Sequence, residues 1–391
     1  MRYFVCLLLA SFVLSCTVKQ KNVLMIPRRE ENGVVKLYFD RDGNLYPSEV
    51  HVTPYYFYLD NLKIKRKQKT GEYATIESAL TKYDSLSKLY VSQRYQLPLQ
   101  DSIKLFTRLQ EILRKAAVGK MEQRMIDNNN RQLIILIHGF NDPTPDAFYY
   151  ALRKEILDYL KVKPTFVEVY WDGLNALGDY ILMPSIWNYS QQNAAKVGLG
   201  LRNVLKDVDS STTIYLLTHS LGSSVATNVL FNQQKWPTDF QEILKSDYHS
   251  GEIKTLWQKE IRLGMIAPAI SGVETFKDID NTVPSGKLPQ LSKVVIGFNH
   301  YDYAVTKGGL FPHWFGSTAL GADANKEVGK TFTVLNNKAP QVQCFAVNFS
   351  LTKKGLKDTK ENKIYRQKDH SMIAYQANEH FEDFMSLVFG N

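Results

Sequence analysis

Ile214-Tyr215-Leu216-Leu217-Thr218-His219-Ser220-Leu221-Gly222 is the stretch that decides the fold. A short apolar run ends in serine, leucine and glycine, and a helical pattern from Ser223 to Leu230 follows at once. A serine on so sharp a strand-to-helix turn exposes its hydroxyl. The next backbone N–H, that of Leu221, and the positive end of the helix then point at the oxygen of whatever the serine attacks. Such a turn needs small residues on both sides of the serine, because strand and helix backbones nearly touch there. Gly222 supplies one of them, while Thr218 stands where glycine is the commoner choice. The competing reading is a buried strand followed by a helix that Ser220 only N-caps.

Upstream, Leu133-Ile134-Ile135-Leu136-Ile137 is a continuous apolar run, the pattern of a parallel strand buried on both faces. It ends in His138-Gly139-Phe140-Asn141, and a helical pattern runs from Asp146 to Leu160. A strand ending in His-Gly is where serine hydrolases of this kind place the second oxyanion donor. The glycine lets the loop fold back so that the N–H of Phe140 faces the serine. Alone, His-Gly after a strand is an ordinary turn; ahead of a serine elbow it is hard to produce by accident.

An activated serine needs a base and a group that orients the base. Apolar runs at Ile261 to Ile266 and Lys293 to Phe298 predict two more strands, and the second leads into Asn299-His300-Tyr301-Asp302. A further strand, Val342 to Phe349, precedes a charged loop and then Asp369-His370-Ser371-Met372. Asp302 is the expected acid, with Glu274 as the fallback, and His370 is the expected base. His380 falls inside an amphipathic terminal helix and reads as a surface or packing residue. His313 lies between the acid and the next strand, the wrong place for the base.

These features resemble the α/β-hydrolase superfamily, and within it bacterial esterase- and lipase-like proteins. The residues carrying the resemblance are His138-Gly139-Phe140-Asn141, Tyr170-Trp171 after the strand Thr165 to Val169, and Thr218 to Gly222. It spans Gln132 to the C-terminus. The resemblance implies a mostly parallel sheet flanked by helices, a Ser220–His370–Asp302 triad, and hydrolysis of an ester-like bond with no metal or organic cofactor. It implies no particular substrate.

The N-terminus carries a second signal. Met1-Arg2-Tyr3 is a short basic start, Phe4 to Leu14 is an apolar core too short to span a bilayer, and Cys16 closes it. A cysteine at that point resembles the bacterial lipobox, which implies cleavage before Cys16 and its acylation. Several acyl chains on one residue make a stable anchor. The alternatives are an ordinary signal peptide cut nearby, or an incidental cysteine. The expected location is the bacterial cell envelope, lipid-anchored at the outer membrane on its periplasmic or surface side, since Thr17 shows no inner-membrane retention signal.

The sequence has 391 residues, three cysteines and a formal charge of +9, which becomes +8 once Arg2, the one charged residue among Met1 to Ser15, leaves with the signal. Cys6 leaves with it too, so Cys16 and Cys344 cannot form a disulfide framework. No zinc-ligand spacing, phosphate loop or internal repeat is visible, and the basic balance calls for no nucleic acid. The expected organisation is a signal (1–15), a tether (16–34), a small α+β appendage (35–130) and the hydrolase domain (131–391). Within the appendage Val35 to Tyr46 alternates around Asp42-Gly43, a hairpin signal. Tyr55 to Tyr58 and Leu62 to Lys69 are strand-like. The cations Lys63, Lys65, Arg66, Lys67 and Lys69 suit a solvated edge strand or a lipid-binding patch. Ser102 to Met125 reads as a helix with Leu105, Phe106, Leu109, Ile112 and Leu113 on one apolar face. Two insertions, Asp172 to Gln192 with Trp187 and Tyr189, and Tyr303 to Lys330 with the aromatic run around Trp314, read equally as a lid or acyl pocket and as packing under long loops. The functional expectation is a membrane-anchored serine esterase or lipase; the alternative is a catalytically silent binding scaffold with the same fold.

Overall fold

The strands predicted on either side of the elbow lie side by side in one sheet. The computed structural model describes residues 21–22, 31, 33–40, 43–46, 57–58, 102–140, 145–171, 173, 183–231, 260–277, 291–306, 318–350 and 368–390. In chain order the elements are β1 (Lys21–Asn22), β2 (Val34–Phe39), β3 (Phe57–Tyr58), α1 (Ser102–Asp127), β4 (Gln132–Ile137), α2 (Asp146–Leu160), β5 (Thr165–Trp171), α3 (Met183–Leu205), β6 (Thr213–His219), α4 (Gly222–Leu230), β7 (Ile261–Ile266), α5 (Gly272–Lys277), β8 (Leu291–Phe298), α6 (Ala319–Ala322), α7 (Glu327–Lys338), β9 (Gln343–Asn348), α8 (Met372–Gln376) and α9 (Phe381–Phe389). Cys16, most of the tether, the Leu62 to Lys69 segment and Gly308 to Gly316 lie outside the described residues.

Seven strands form a sheet in the order β2-β5-β4-β6-β7-β8-β9. Every neighbouring pair is parallel. This is the α/β-hydrolase architecture, a parallel sheet alternating with flanking helices. The central strands are apolar throughout because helices cover both faces of the sheet: Leu133 to Ile137, Leu216, Leu263 and Val294 are fully buried. The chain runs from β4 outward to β5 and then crosses back to β6 on the other side of β4. The direction of winding therefore reverses between β4 and β6. At such a switch point the loops after the strands part and leave a crevice. His138-Gly139 and Ser220 are the residues that follow those two strands.

The N-terminal α+β segment is continuous with this sheet, since β2 is its edge strand, paired in parallel with β5. A hairpin signal does not say which sheet a strand joins. Here, among the described residues, β2 makes a short antiparallel bridge through Phe39 with Leu45 and keeps its other edge for β5. Lys36 sits opposite Glu168 in that register, with Nζ 3.7 Å from the buried carboxylate. Arg153 of α2 approaches the same carboxylate at 3.0 Å, and Tyr170 Oη donates to it at 2.9 Å. Burial raises the Glu168 pKa, and the two cations and the tyrosine oppose that rise.

The described buried residues of α1 are Ala117, Val118, Met121 and Met125, and Leu113 of the expected apolar face packs partly buried against the same core, while Ile112 is exposed. The side chains of Leu105, Phe106 and Leu109 lie outside the described residues. The segment read as an insertion after Trp171 becomes helical from Met183, and α3 lies along α4.

Candidate active site

Ser220 is held at φ 53° between β6 and α4. A non-glycine residue in this left-handed region is strained and persists only where its surroundings fix it. They do so on both sides. The N–H of Ser220 donates to Ile266 O at 3.0 Å, and its carbonyl accepts from Ala269 N–H at 3.1 Å and Ser223 N–H at 3.1 Å. The end of β7 and the loop after it therefore hold the serine backbone from both sides. The N-cap of α4 is Leu221 and uses no side chain, so the hydroxyl of Ser220 is not spent on capping. Ser220 is 5% exposed. Its Oγ makes no hydrogen bond among the described residues.

Two glycines make the turn possible. A Cβ on Gly222 would lie 2.6 Å from the carbonyl oxygens of both Ile137 and His138, and a Cβ on Gly139 would lie 2.7 Å from Ser220 Cβ. The second of these distances places the His-Gly loop directly against the serine. Thr218 fits where a glycine is commoner because its hydroxyl is 2.8 Å from that of Ser223 in the first turn of α4. The backbone hydrogen bonds of the elbow, among the described residues, leave the N–H groups of Leu221 and Phe140 unused. Phe140 packs edge-on against Trp187 of α3, with ring centroids 5.1 Å apart, so the first insertion, Asp172 to Gln192, does reach the loop beside the serine.

His138 holds that loop. It is buried; its Nδ1 lies 2.9 Å from Gly139 O and its Nε2 3.3 Å from Trp171 N. A carbonyl can only accept and an N–H can only donate, so the ring is neutral with its proton on Nδ1. Trp171 stacks on the ring at 5.5 Å and returns a hydrogen bond from Nε1 to His138 O. The aromatic step after β5 thus fixes the shape of the loop after β4.

The structure brings His370 to Asp302: Nδ1 lies 2.6 Å from Oδ2. Asp302 is fully buried. Its Oδ1 accepts from Ala304 N–H at 2.9 Å and Val305 N–H at 3.3 Å. Its Oδ2 accepts from Tyr375 Oη as well as from His370. Burial alone would raise this carboxyl's pKa. The His370 charge outweighs it together with the hydrogen bonds of His370, Tyr375 and Val305, and the group is held below its ordinary range.

His370 is tied to the elbow through His219, the residue before the serine. His219 Nε2 donates to the His370 carbonyl at 2.8 Å, and the two rings lie 4.7 Å apart, tilted by 38°. Burial, then the neighbouring His370, push the His219 pKa from 6.5 down to about 3. It is a neutral ring beside the expected base. Ser220 and His370 are not joined by a hydrogen bond here.

The other candidates stand apart. Glu274 lies on the outer face of α5, 3.5 Å from Lys277, so the fallback acid does not reach His370. His380 stands at the N-cap of α9, just ahead of that terminal helix rather than inside it, and pairs with Asp383 at 3.0 Å. His313 lies outside the described residues. Tyr375 and His219 escaped the sequence reading. The histidine stood within the serine motif but without a role, and no local pattern announces that Tyr375 reaches Asp302. Among the described residues no group of three or more His, Cys, Asp or Glu is placed to hold a metal ion.

Residues 114–295 match a protein family described as alpha/beta hydrolase of unknown function (DUF900). The matched span runs from within α1 to within β8, containing Ser220 and ending before Asp302 and His370. No curated protein matches the chain, and no solved structure does.

Proposed function

An α/β-hydrolase by its sheet and by that match, this chain is, we propose, a serine hydrolase that cleaves a carboxylic ester or lipid through an acyl-enzyme. The observation that carries the reading is the 2.6 Å contact of His370 Nδ1 with the buried Asp302, on a loop hydrogen-bonded to the residue beside a strained serine.

In this mechanism Ser220 Oγ attacks the ester carbonyl as His370 Nε2 takes its proton. Asp302 keeps the Nδ1 proton in place, so Nε2 carries the lone pair that accepts, and it stabilises the imidazolium that forms. The serine–histidine hydrogen bond closes with substrate present; such contacts are commonly loose in apo enzymes. The N–H groups of Leu221 and Phe140 receive the oxyanion. His370 then hands the proton to the leaving alcohol, and water attacks the acyl-enzyme by the same steps in reverse order. His219 suits this chemistry by remaining uncharged, since a second cation 4.7 Å away would oppose formation of the His370 imidazolium.

The protein works, in the same proposal, at a bacterial cell envelope, held by acyl chains on Cys16. The support is the sequence around Cys16; among the described helices none is long and apolar enough to cross a membrane.

Turnover of a short p-nitrophenyl ester tests the chemistry. Ser220→Ala and His370→Ala each lower kcat by several orders of magnitude, and the double variant is little worse, because members of a triad act as one unit. Losses that simply add, or a Ser220→Ala variant as active as the wild type, would contradict the mechanism.

A further inference from the structure

The expected base sits on a segment that re-enters the described structure only at Lys368, so something must hold it on the acid. Residue 370 and residue 375 flank one capped turn: Ser371 is the N-cap of α8, its Oγ accepting from Ala374 N–H at 3.3 Å. Both side chains then close on the same atom, Asp302 Oδ2, His370 through Nδ1 at 2.6 Å and Tyr375 through Oη at 2.5 Å. Tyr375 is buried, and its ring packs edge-on against Phe349 at 5.1 Å. Just upstream Lys368 O accepts from Tyr303 N–H at 3.1 Å, joining the segment to the acid's own loop.

We propose that Tyr375 is a positioning residue for the His370–Asp302 pair, gripping the shared carboxylate oxygen so that it fixes the loop and moderates the charge His370 faces. The proposal deepens the serine-hydrolase reading and rests on it for its catalytic consequence. A phenol that donates to a carboxylate withdraws negative charge from the oxygen it shares, and the partner imidazolium is then stabilised less. Without the phenol the same oxygen holds a His370 proton more firmly. Burial and the Asp302 charge push the Tyr375 hydroxyl's own pKa well above 10, so it stays a donor throughout the working range. The other titratable groups facing the pair are His219 from β6, with His138 behind it, and Asp369 beside His370. Asn299 also bonds Tyr375.

The test is the Tyr375→Phe variant of the full chain, followed by the low-field proton resonance of His370 Nδ1 across pH and by ester kinetics. The resonance is assigned by its loss in His370→Asn. The variant's titration midpoint moves to higher pH by about half a unit to one unit, and the acid limb of kcat/KM moves with it. Meanwhile kcat falls roughly tenfold, with KM nearly unchanged. A difluorotyrosine at position 375, a stronger donor in an intact fold, moves the midpoint the opposite way; this second substitution decides the matter if Tyr375→Phe does not fold. Midpoints that stay fixed in both proteins overturn the proposal, even if stability falls, because a packing role alone does not move them. If the wild type neither turns over esters nor reacts at Ser220 while the midpoints still move, the serine-hydrolase reading fails and the positioning role stands.

Discussion

At the scale of single residues, strain and desolvation are concentrated around Ser220. Its φ of 53° is maintained by hydrogen bonds with the end of β7 and the loop after it, and the glycines at 139 and 222 admit the close approach. The neighbouring His219 gives a stability signature. Its pKa in the folded protein is about 3 against 6.5 for the free group. The unfolded chain therefore takes up a proton that the folded one refuses, and stability is full above pH 6.5 and lost as pH falls toward 3. Asp302, also depressed, adds to the loss below its unfolded value of 3.8. Glu168, whose pKa is raised, acts in the opposite sense. Comparing urea midpoints of the wild type and His219→Asn from pH 7 to 4.5 cancels the Glu168 contribution. The wild type's midpoint falls more steeply with acid; parallel slopes would contradict a neutral, buried His219. A second residue-scale expectation separates the acids: Asp302→Asn lowers kcat by roughly a hundredfold or more, while Glu274→Gln, on the outer face of α5, leaves it unchanged. The reverse order in ester kinetics would move the acid.

At the scale of elements, the strands that build the crevice were legible because both of their faces are buried. The continuous runs Leu133 to Ile137, Ile261 to Ile266 and Lys293 to Phe298 each became a sheet strand, and Asp146 to Leu160 became the helix its pattern described. What escaped depends on partners far along the chain. An alternating segment such as Val35 to Tyr46 fits a separate hairpin and a sheet edge alike, and only the pairing of Lys36 with Glu168 distinguishes them. Tyr375 likewise acquires its meaning from Asp302, a contact between distant loops. The helix behind the serine ends on a buried cation: Arg202 of α3 donates to the carbonyls of Val229, Asn228 and Phe231 at 2.7, 2.5 and 2.7 Å. These are the carbonyls that a helix C-terminus leaves without intrahelical partners. Arg202→Met removes the charge-assisted bonds while keeping much of the volume. It lowers unfolding free energy by about 2–4 kcal/mol in urea titrations; a change below about 0.5 kcal/mol would show that the contacts are incidental.

At the scale of the whole molecule, the described fold brings three distant stretches to one crevice: the loops after β4 and β6 at the switch point, and the His370 loop laid against them. The proposed anchor precedes all of it in the chain, and the described contacts of the site come from residues 138 to 375. In a bacterial host, wild-type protein should fractionate with membranes. Cys16→Ser behind a conventional cleavable signal should become soluble and retain ester turnover. Membrane association surviving that change would move the attachment to the basic segment Lys63 to Lys69 or the aromatic run around Trp314. The central claim is that Ser220 is a nucleophile. Its most direct test is to treat the purified protein with a fluorophosphonate and locate the adduct by peptide mass mapping. The account predicts one adduct per chain, on Ser220, absent in Ser220→Ala and strongly slowed in His370→Ala. A folded wild-type protein that takes up no probe, or takes it up elsewhere with Ser220 unmodified, would contradict it.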